Sequence, residues 1–476
     1  MVWPPHEKVG VIGVLSGPDI MGIVAAGGPF VFALLVLDPV TSLYMFPLWT
    51  LPVLAWTLGR WHGVRVRTRV GALLRWWFRR RRSWSAPLRG KQGSPQCLRQ
   101  VRLVRVNGDA TGVVGVSVVK KQSYTVVMAV DSDSVALLSP GERSAMFDKW
   151  GDFLSGLCVE RDTLGPERVS WTDVHRAADP AALVAYHREH GRAGPATAEF
   201  VRHIASFGSV SSEHRVLVSV TITRATSWRL AKHDFRGRNA GEAMAEAAVR
   251  VGEGVADTMR SLGFRVGALL SPAEMGRMIV ECGDPFAQRP EGLTVLERFG
   301  VPERTGPDQL TVERHAVAID GAYHRSFMIQ APKTRVDTGW MWRPLSVEGP
   351  KMLTVVYEAI PPSTADARRD ALTTRAKSNI VAEAVSTGRV RTVEQKKAES
   401  LSAAERAVAN GHGELDGYML VVISARTIVD LDRRCQLLRN ALRQEGRATL
   451  RELTAVHDAG WVAALPIGFP VAPAKE

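Results

Sequence analysis

The chain has few cysteines, and none is placed to hold a metal or a disulfide framework. Its four cysteines lie far apart and form no C-x-x-C pair; they are Cys97, Cys158, Cys282 and Cys435. A small secreted disulfide fold or a zinc finger would need paired or clustered cysteines. We therefore expect isolated, reduced thiols in a cytoplasmic domain.

The sequence signatures of the common enzyme classes are also missing. There is no G-x-x-x-x-G-K-[ST] phosphate loop, no G-x-G-x-x-G after a strand and no G-x-S-x-G. Residues 187–190, HREH, have their histidines three residues apart. A zincin helix needs H-E-x-x-H, so we interpret this segment as a solvated helix end. The sequence predicts a protein that is not an enzyme, with no cofactor and no catalytic or metal site.

Acidic residues are absent from one long segment. No aspartate or glutamate occurs between Asp38 and Asp109, and fourteen of the 61 lysines and arginines lie in that interval. The rest of the chain carries 47 basic against 48 acidic residues, so the formal charge of +13 belongs to this segment. Seven of the thirteen tryptophans lie within the first 84 residues. An anionic partner is therefore expected at this segment rather than across the whole surface.

Two long uncharged runs precede the basic segment. Residues 20–37 and 39–59 contain no charged residue, and Asp38 lies between them. A bilayer core about 30 Å thick needs roughly 20 apolar residues of helix. We therefore predict a transmembrane helical hairpin in residues 1–59, with spans at about 20–37 and 41–59. A cleaved signal peptide and a pair of buried helices in a soluble domain are the alternatives.

The arginine-rich flank determines the expected orientation. Positive residues beside a membrane helix stay in the cytoplasm, so we predict a multi-pass protein of the cell membrane with both termini cytoplasmic. Residues 60–100 then form a juxtamembrane segment and linker, in which arginines contact anionic lipid head groups and tryptophans lie at the interface. The predicted contact residues are Arg60, Trp61, Arg75, Trp76, Trp77, Arg79, Arg80, Arg81, Arg82 and Trp84. Arginines beside aromatic rings can also bind DNA, and this reading stays open.

The remaining residues predict an α/β fold arranged in α+β layers. Runs at 113–119 and 124–130 predict a β-hairpin, and residues 139–157 predict a helix. From residue 352 the order is β-α-β-α-β, which favours helices on one face of a sheet. A turn-rich stretch at 283–308 separates domains predicted at 101–283 and 309–476. The two halves share a loose order of hairpin, helix, strand, helix and strand, without a fixed-period repeat.

Three runs of residues resemble one protein family when they are taken together. They are YTVVMAVDSDSVALLSPGERSAMFDKWGDFLSGL, MLTVVYEAIPPSTADARRDAL and GWVAALPIGFPV, in this order behind the predicted hairpin. Over nearly its whole length the chain resembles an actinobacterial family of integral membrane proteins from gene clusters similar to conjugation or type IV secretion systems. Its cytoplasmic part is similar to the N-terminal, non-ATPase region of conjugation ATPases of the TraC type. A more distant likeness is to the EccE membrane component of type VII secretion.

This resemblance implies a protein that anchors and docks. It implies a non-catalytic, membrane-anchored structural subunit of a conjugation or type IV secretion-like transport machine, which recruits a motor ATPase carried on a separate chain. The implied partners are that hexameric ATPase, a small two-span membrane protein and anionic lipids, with further copies of this chain as an open alternative. A membrane-tethered DNA-binding component and a type VII secretion-like subunit are the alternative functions. The family offers no catalytic residues to carry over.

Overall fold

The chain forms two compact units, which are described separately. The larger comprises Met1–Trp3, Arg82–Leu453 and His457–Val471, and the smaller comprises Pro4–Arg81, Thr454–Val456 and Ala472–Glu476. The computed structural model describes residues 51–57, 60–61, 64–65, 84–85, 97–108, 112–120, 122–131, 139–160, 165–177, 194–207, 212–232, 239–287, 306–330, 340–361, 413–445 and 448–469, together with single positions and short stretches between them.

The described elements of the smaller unit are short. Helix α1 (Leu51–Thr57) lies within the predicted second span, and strand β1 (Arg60–Trp61) pairs antiparallel with β2 (Val64–Arg65). Among the described residues, no helix has both the length and the hydrophobicity needed to cross a membrane. Most of the two predicted spans, 20–37 and 41–59, lies outside the described residues, so the hairpin stays a prediction.

In the part of the chain that the structure describes, one antiparallel sheet of thirteen strands organises the larger unit. Its strands are β3 (Trp84–Ser85), β4 (Val101–Gly108), β5 (Gly112–Val119), β6 (Ser123–Asp131), β7 (Arg168–Ala177), β8 (Ser212–Thr223), β9 (Arg265–Leu269), β10 (Gln309–Val312), β11 (Val317–Ile319), β12 (Ala322–Gln330), β13 (Lys351–Ala359), β14 (Leu415–Ala425) and β15 (Thr449–Glu452). Neighbouring strands follow the order β3-β10-β11-β12-β14-β13-β7-β8-β6-β5-β4, with β9 paired to β6 and β15 paired to β12. Since β7 pairs with β13 along eight residue pairs, the sheet is continuous across the turn-rich stretch at 283–308. The predicted α/β class is confirmed.

Eight helices are described in the larger unit, and two of them begin at a reciprocal capping box. The eight are α2 (Pro140–Glu160), α3 (Pro195–Phe207), α4 (Arg224–Ala231), α5 (Ala240–Ser261), α6 (Pro272–Gly283), α7 (Trp342–Leu345), α8 (Ile428–Glu445) and α9 (His457–Ala464). At the start of α2 the amide of Ser139 donates to Glu142 Oε2 at 2.7 Å, and the amide of Glu142 donates to Ser139 Oγ at 3.3 Å. Ser271 and Glu274 make the same reciprocal bonds before α6. Such capping boxes satisfy amides that the first helical turn leaves without partners.

The same order of strands occurs twice along the chain, with helices at similar places between them. The first half runs β4-β5-β6, then α2, β7, α3, β8, α4 and α5, β9 and α6; the second runs β10-β11-β12, then α7, β13, β14, α8, β15 and α9. In the first half β6 pairs with β5, β8 and β9, and in the second half β12 pairs with β11, β14 and β15. The loose order of elements that the sequence predicts for both halves therefore corresponds to a repeated strand topology. The two halves meet where β7 pairs with β13.

Helices cover both faces of this sheet. In β6, Val126 and Met128 pack with residues of α2 and α5, whereas Val127 packs on the opposite face with residues of α6 and α9. In β14, Val421 packs against α8 while its neighbour Leu420 packs with α9. The expectation of helices on one face was wrong. The helix after the last strand of each half, α6 or α9, buries apolar residues against the other side.

The last described residues of the larger unit lie across the sheet and are buried. Trp461 is fully buried, and its Nε1 donates to the carbonyl oxygen of Cys282 at 3.2 Å. Further along, Thr354 Oγ1 donates to the Ala464 carbonyl at 2.5 Å, and Ser117 Oγ donates to the Ile467 carbonyl at 3.0 Å. Short hydroxyl side chains let a backbone approach the sheet and satisfy its carbonyls. The GWVAALPIGF part of the third resemblance run is thus part of the core.

Two glycines of α5 test how this helix packs. A Cβ at Gly252 would lie 2.3 Å from Cγ2 of Val126, whereas a Cβ at Gly254 would meet nothing within 4 Å. We expect Gly252→Ala to lower the free energy of unfolding by about 1–3 kcal/mol, because the helix must move away from β6. Gly254→Ala should raise it by about 0.5–1 kcal/mol, because alanine loses less backbone entropy on folding. Chemical denaturation of the full chain in detergent measures both, and changes of the same sign would contradict this packing.

Candidate functional site

A group of ionisable side chains lies where three central strands meet. Asp173 and His175 are two residues apart on β7, so they project from the same face of the sheet. His175 is paired with His214 of β8 on one side and with Lys351 of β13 on the other. Strand pairing therefore places these four side chains together, and we name Asp173, His175 and His214 the Asp-His-His cluster.

The two histidines point the same ring atom at one carboxylate oxygen. Nε2 of His175 lies 3.1 Å from Asp173 Oδ1, and Nε2 of His214 lies 2.6 Å from that oxygen. The exposed fractions of the side chains are 9% for Asp173, 12% for His175 and 44% for His214. The cluster is thus buried at β7 and open to solvent at β8.

The protonation equilibria of the cluster are strongly coupled. Burial opposes ionisation of Asp173, but the two adjacent imidazoles outweigh it and hold the pKa of its carboxyl at about 2. Burial lowers the pKa of His175, whereas the neighbouring carboxylate raises the pKa of His214. Burial also lowers the pKa of Lys351 to about 8, and its Nζ donates to the Val347 carbonyl at 2.6 Å. Asp173 is therefore ionised at neutral pH.

The donor atoms of the cluster can serve a metal ion. One atom from each of its three residues lies within 4.8 Å of the other two. Within the described residues, neither Asp173 Oδ1 nor His175 Nε2 makes a hydrogen bond of acceptable geometry, although both atoms are buried. Two imidazoles and a carboxylate are a common ligand set for transition-metal ions in proteins.

Sequence reasoning missed this cluster. The run RVSWTDV predicts a strand at 168–174, which ends one residue before His175, and the run HRVLVSVTIT predicts a strand at 214–223, which begins at His214. Aspartate and histidine two apart on a strand are a weak signal by themselves. The third member follows only from the pairing of β7 with β8, which a single sequence does not reveal.

The residues predicted to contact the membrane lie in different parts of the structure. Arg60 and Trp61 form β1, whose register pairs them with Arg65 and Val64. Trp84 belongs to the sheet of the larger unit, where it is paired with Leu310 of β10. Arg75, Trp76, Trp77, Arg79, Arg80, Arg81 and Arg82 lie outside the described residues.

The HREH segment is exposed only in part. Glu189 and His190 are exposed helical residues, which agrees with a solvated helix end, whereas His187 is half-buried with its ring centroid 4.9 Å from that of Phe200. None of the four cysteines forms a disulfide. Burial raises the thiol pKa of Cys158 and Cys435 to about 11 and that of Cys282 to about 12, so these three are protonated at neutral pH.

Comparison with known protein families gives no match, and neither does comparison with curated protein sequences. A function has to be argued from the residues of this chain.

Proposed function

We propose that this chain is a non-catalytic, membrane-anchored docking subunit of a conjugation or type IV secretion-like transport machine. The observation that carries the proposal is the placement of charge. All of the net positive charge follows two uncharged runs directly, while the rest of the chain is nearly neutral. Such a pattern is typical of a membrane anchor with a cytoplasmic body. The resemblance supplies the kind of machine and the separate motor ATPase.

The start of the basic segment supports contact with lipid. In the β1–β2 ladder Arg60 is opposite Arg65, and Trp61 is opposite Val64. The register thus pairs a basic residue with a basic one and an apolar residue with an apolar one, just after the second apolar run. Arginines attract anionic head groups, and tryptophan favours the membrane interface.

The body of the protein supports a docking function. The β7–β13 pair joins the two halves into one continuous sheet, and helices on both faces bury its core. A platform of this kind can present several helices in fixed positions. The motor ATPase, a small two-span membrane protein and further copies of this chain are the partners we propose for it.

Changing four arginines of the basic segment tests whether that segment contacts lipid or DNA. The variant replaces Arg79, Arg80, Arg81 and Arg82 with alanine in the full chain, reconstituted in nanodiscs of neutral or partly anionic lipid. We expect the wild type to bind no single-stranded DNA at physiological salt, and to cluster anionic lipid around itself more than the variant does. Each arginine near an anionic surface contributes about 1 kcal/mol.

Fluorescence anisotropy of labelled DNA and quenching of a labelled anionic lipid measure these two properties. Changing Arg433, which lies on α8, to alanine provides the control, because it removes a basic residue from the cytoplasmic body. Salt-dependent DNA binding that the quadruple variant loses would favour the membrane-tethered DNA-binding component instead.

A further inference from the structure

We propose that Asp173, His175 and His214 bind one divalent transition-metal ion of the zinc class, with a fourth coordination position open to solvent. The three donors come from the middle of the sheet, where the register of β7 and β8 places them independently of any ligand. The donor set of two imidazole nitrogens and one carboxylate oxygen favours zinc, cobalt or nickel over magnesium and calcium, which prefer oxygen ligands.

The distances fit a small adjustment on binding. In a tetrahedral zinc site, with bonds of about 2.0–2.1 Å, neighbouring donor atoms are about 3.3 Å apart. Asp173 Oδ1 lies 3.1 Å from His175 Nε2 and 2.6 Å from His214 Nε2. His214 has to withdraw from Asp173 by several tenths of an ångström, and with 44% of its side chain exposed it has the space to do so.

Burial and hydrogen bonding supply a second and independent argument. Asp173 Oδ1 and His175 Nε2 are both buried, and neither has a hydrogen bond of acceptable geometry among the described residues. The contacts that these two atoms do make are the imidazole–carboxylate ion pairs within the cluster, and contacts of poor hydrogen-bond geometry satisfy a buried polar atom only in part. A metal ion between the three donors would satisfy both atoms at once.

Lys351 provides a specific check on this site. It is paired with His175 across β7 and β13, and its Nζ donates to the Val347 carbonyl at 2.6 Å. A positive charge on the residue paired with His175 repels a bound cation. Changing Lys351 to methionine, which has a similar length and no charge, should therefore tighten metal binding. If the cluster were an ordinary carboxylate–histidine ion pair that binds no metal, the change would have no such effect.

The test uses the full chain, purified in detergent without a histidine tag and stripped with a chelator. We expect one equivalent of Co²⁺ to produce the visible absorption of a four- or five-coordinate ion, and Zn²⁺ to remove it by displacement. Loss of a residue that supports a metal ligand typically weakens metal binding 10–100-fold. His214→Ala removes a ligand itself, so it should weaken cobalt binding by roughly 100-fold or more. His203→Ala, at an exposed position of α3, is the matched control and should bind as the wild type does.

Thermal unfolding shows whether a variant has folded. His214→Ala should fold, and zinc should raise the unfolding temperature of the wild type but not that of the variant. The proposal is overturned if the wild type binds less than one equivalent of cobalt or zinc. It is also overturned if the cobalt spectrum survives in His214→Ala, or if Lys351→Met leaves the affinity unchanged.

Discussion

Gly468→Ala should lower the free energy of unfolding by about 3 kcal/mol or more. Gly468 has a φ of +70°, a left-handed conformation that costs other residues about 1–2 kcal/mol. A Cβ there would also lie 1.9 Å from Thr125 Oγ1 and 2.8 Å from Thr221 Oγ1. Those two hydroxyls are hydrogen-bonded to each other at 2.8 Å on adjacent strands, so neither can withdraw freely. Denaturant unfolding of the full chain in detergent, followed by tryptophan fluorescence, measures the change.

A variant at a second glycine separates the cost of backbone strain from the cost of steric overlap at Gly468. Gly263 has a φ of +90°, but a Cβ there would meet only Nζ of Lys149, at 3.4 Å. Gly263→Ala therefore carries the backbone cost alone, about 1–2 kcal/mol. Adding Thr125→Ala to Gly468→Ala should recover part of the loss, because it removes the nearer hydroxyl. Equal losses of unfolding free energy in the two glycine variants would mean that the backbone around Gly468 does not lie against β6 and β8.

Acidification from pH 7 to pH 5 should lower the free energy of unfolding by about 4 kcal/mol through two buried histidines. Burial lowers the pKa of His324 to about 4 and that of His457 to about 3. An unfolded histidine has a pKa of about 6.5. The unfolded chain therefore takes up protons before the folded chain does. Stability is full above about pH 6.5 and falls as the pH decreases toward 4. His214 partly offsets this, since its raised pKa acts with the opposite sign, whereas His175, whose pKa is lowered by burial, adds to it.

The hydrogen bonds of these histidines explain why both stay neutral. His324 Nε2 lies 2.8 Å from the Gly283 carbonyl, so it carries the proton, and Nδ1 accepts from Ser424 Oγ at 2.8 Å. His457 Nδ1 accepts from the amide of Ser326 at 3.1 Å. A second proton would remove these acceptors and place a charge in the core, which at His457 would also lie near Arg325.

Variants assign the acid sensitivity to these residues. His324→Gln keeps a donor and an acceptor but does not titrate, so it should remove about half of the loss between pH 7 and pH 5. Val429→Ala, at an exposed position of α8, should leave the slope of stability against pH unchanged, because it removes no titratable group. Unfolding curves in denaturant at several pH values provide the measurement. An unchanged slope in His324→Gln would show that the acid response arises elsewhere.

Much of the secondary structure could be predicted from local patterns. The alternating runs at 113–119 and 124–130 became β5 and β6, and the Ser139-Pro140 start of α2 is fixed by its cap. Strands β4 and β9 were missed. β4 lies next to the linker and carries arginines at the sheet edge, where charged residues are tolerated, and β9 is only five residues long.

The topology and the candidate site depend on contacts that a single sequence does not encode locally. The two alternating runs QLTVERHAVAI and AYHRSFMIQ at 309–330 predict one hairpin, yet the segment folds as three strands with a turn at Asp320-Gly321, where both residues have positive φ. The Asp-His-His cluster likewise requires the register of β7 against β8. The run GWVAALPIGF was recognised as a motif, but only its contacts explain the glycine at 468 and the tryptophan at 461.

Recruitment of a motor ATPase is tested most directly by purifying the tagged full chain from its native membranes in mild detergent and identifying the proteins that accompany it. We predict a stoichiometric, hexameric ATPase that carries its own phosphate-binding loop, together with a small two-span membrane protein. Both should be absent when the tag is placed on an unrelated membrane protein, and both should be retained after nuclease treatment. Recovery of the chain alone, or only with nuclease-sensitive material, would contradict the docking function.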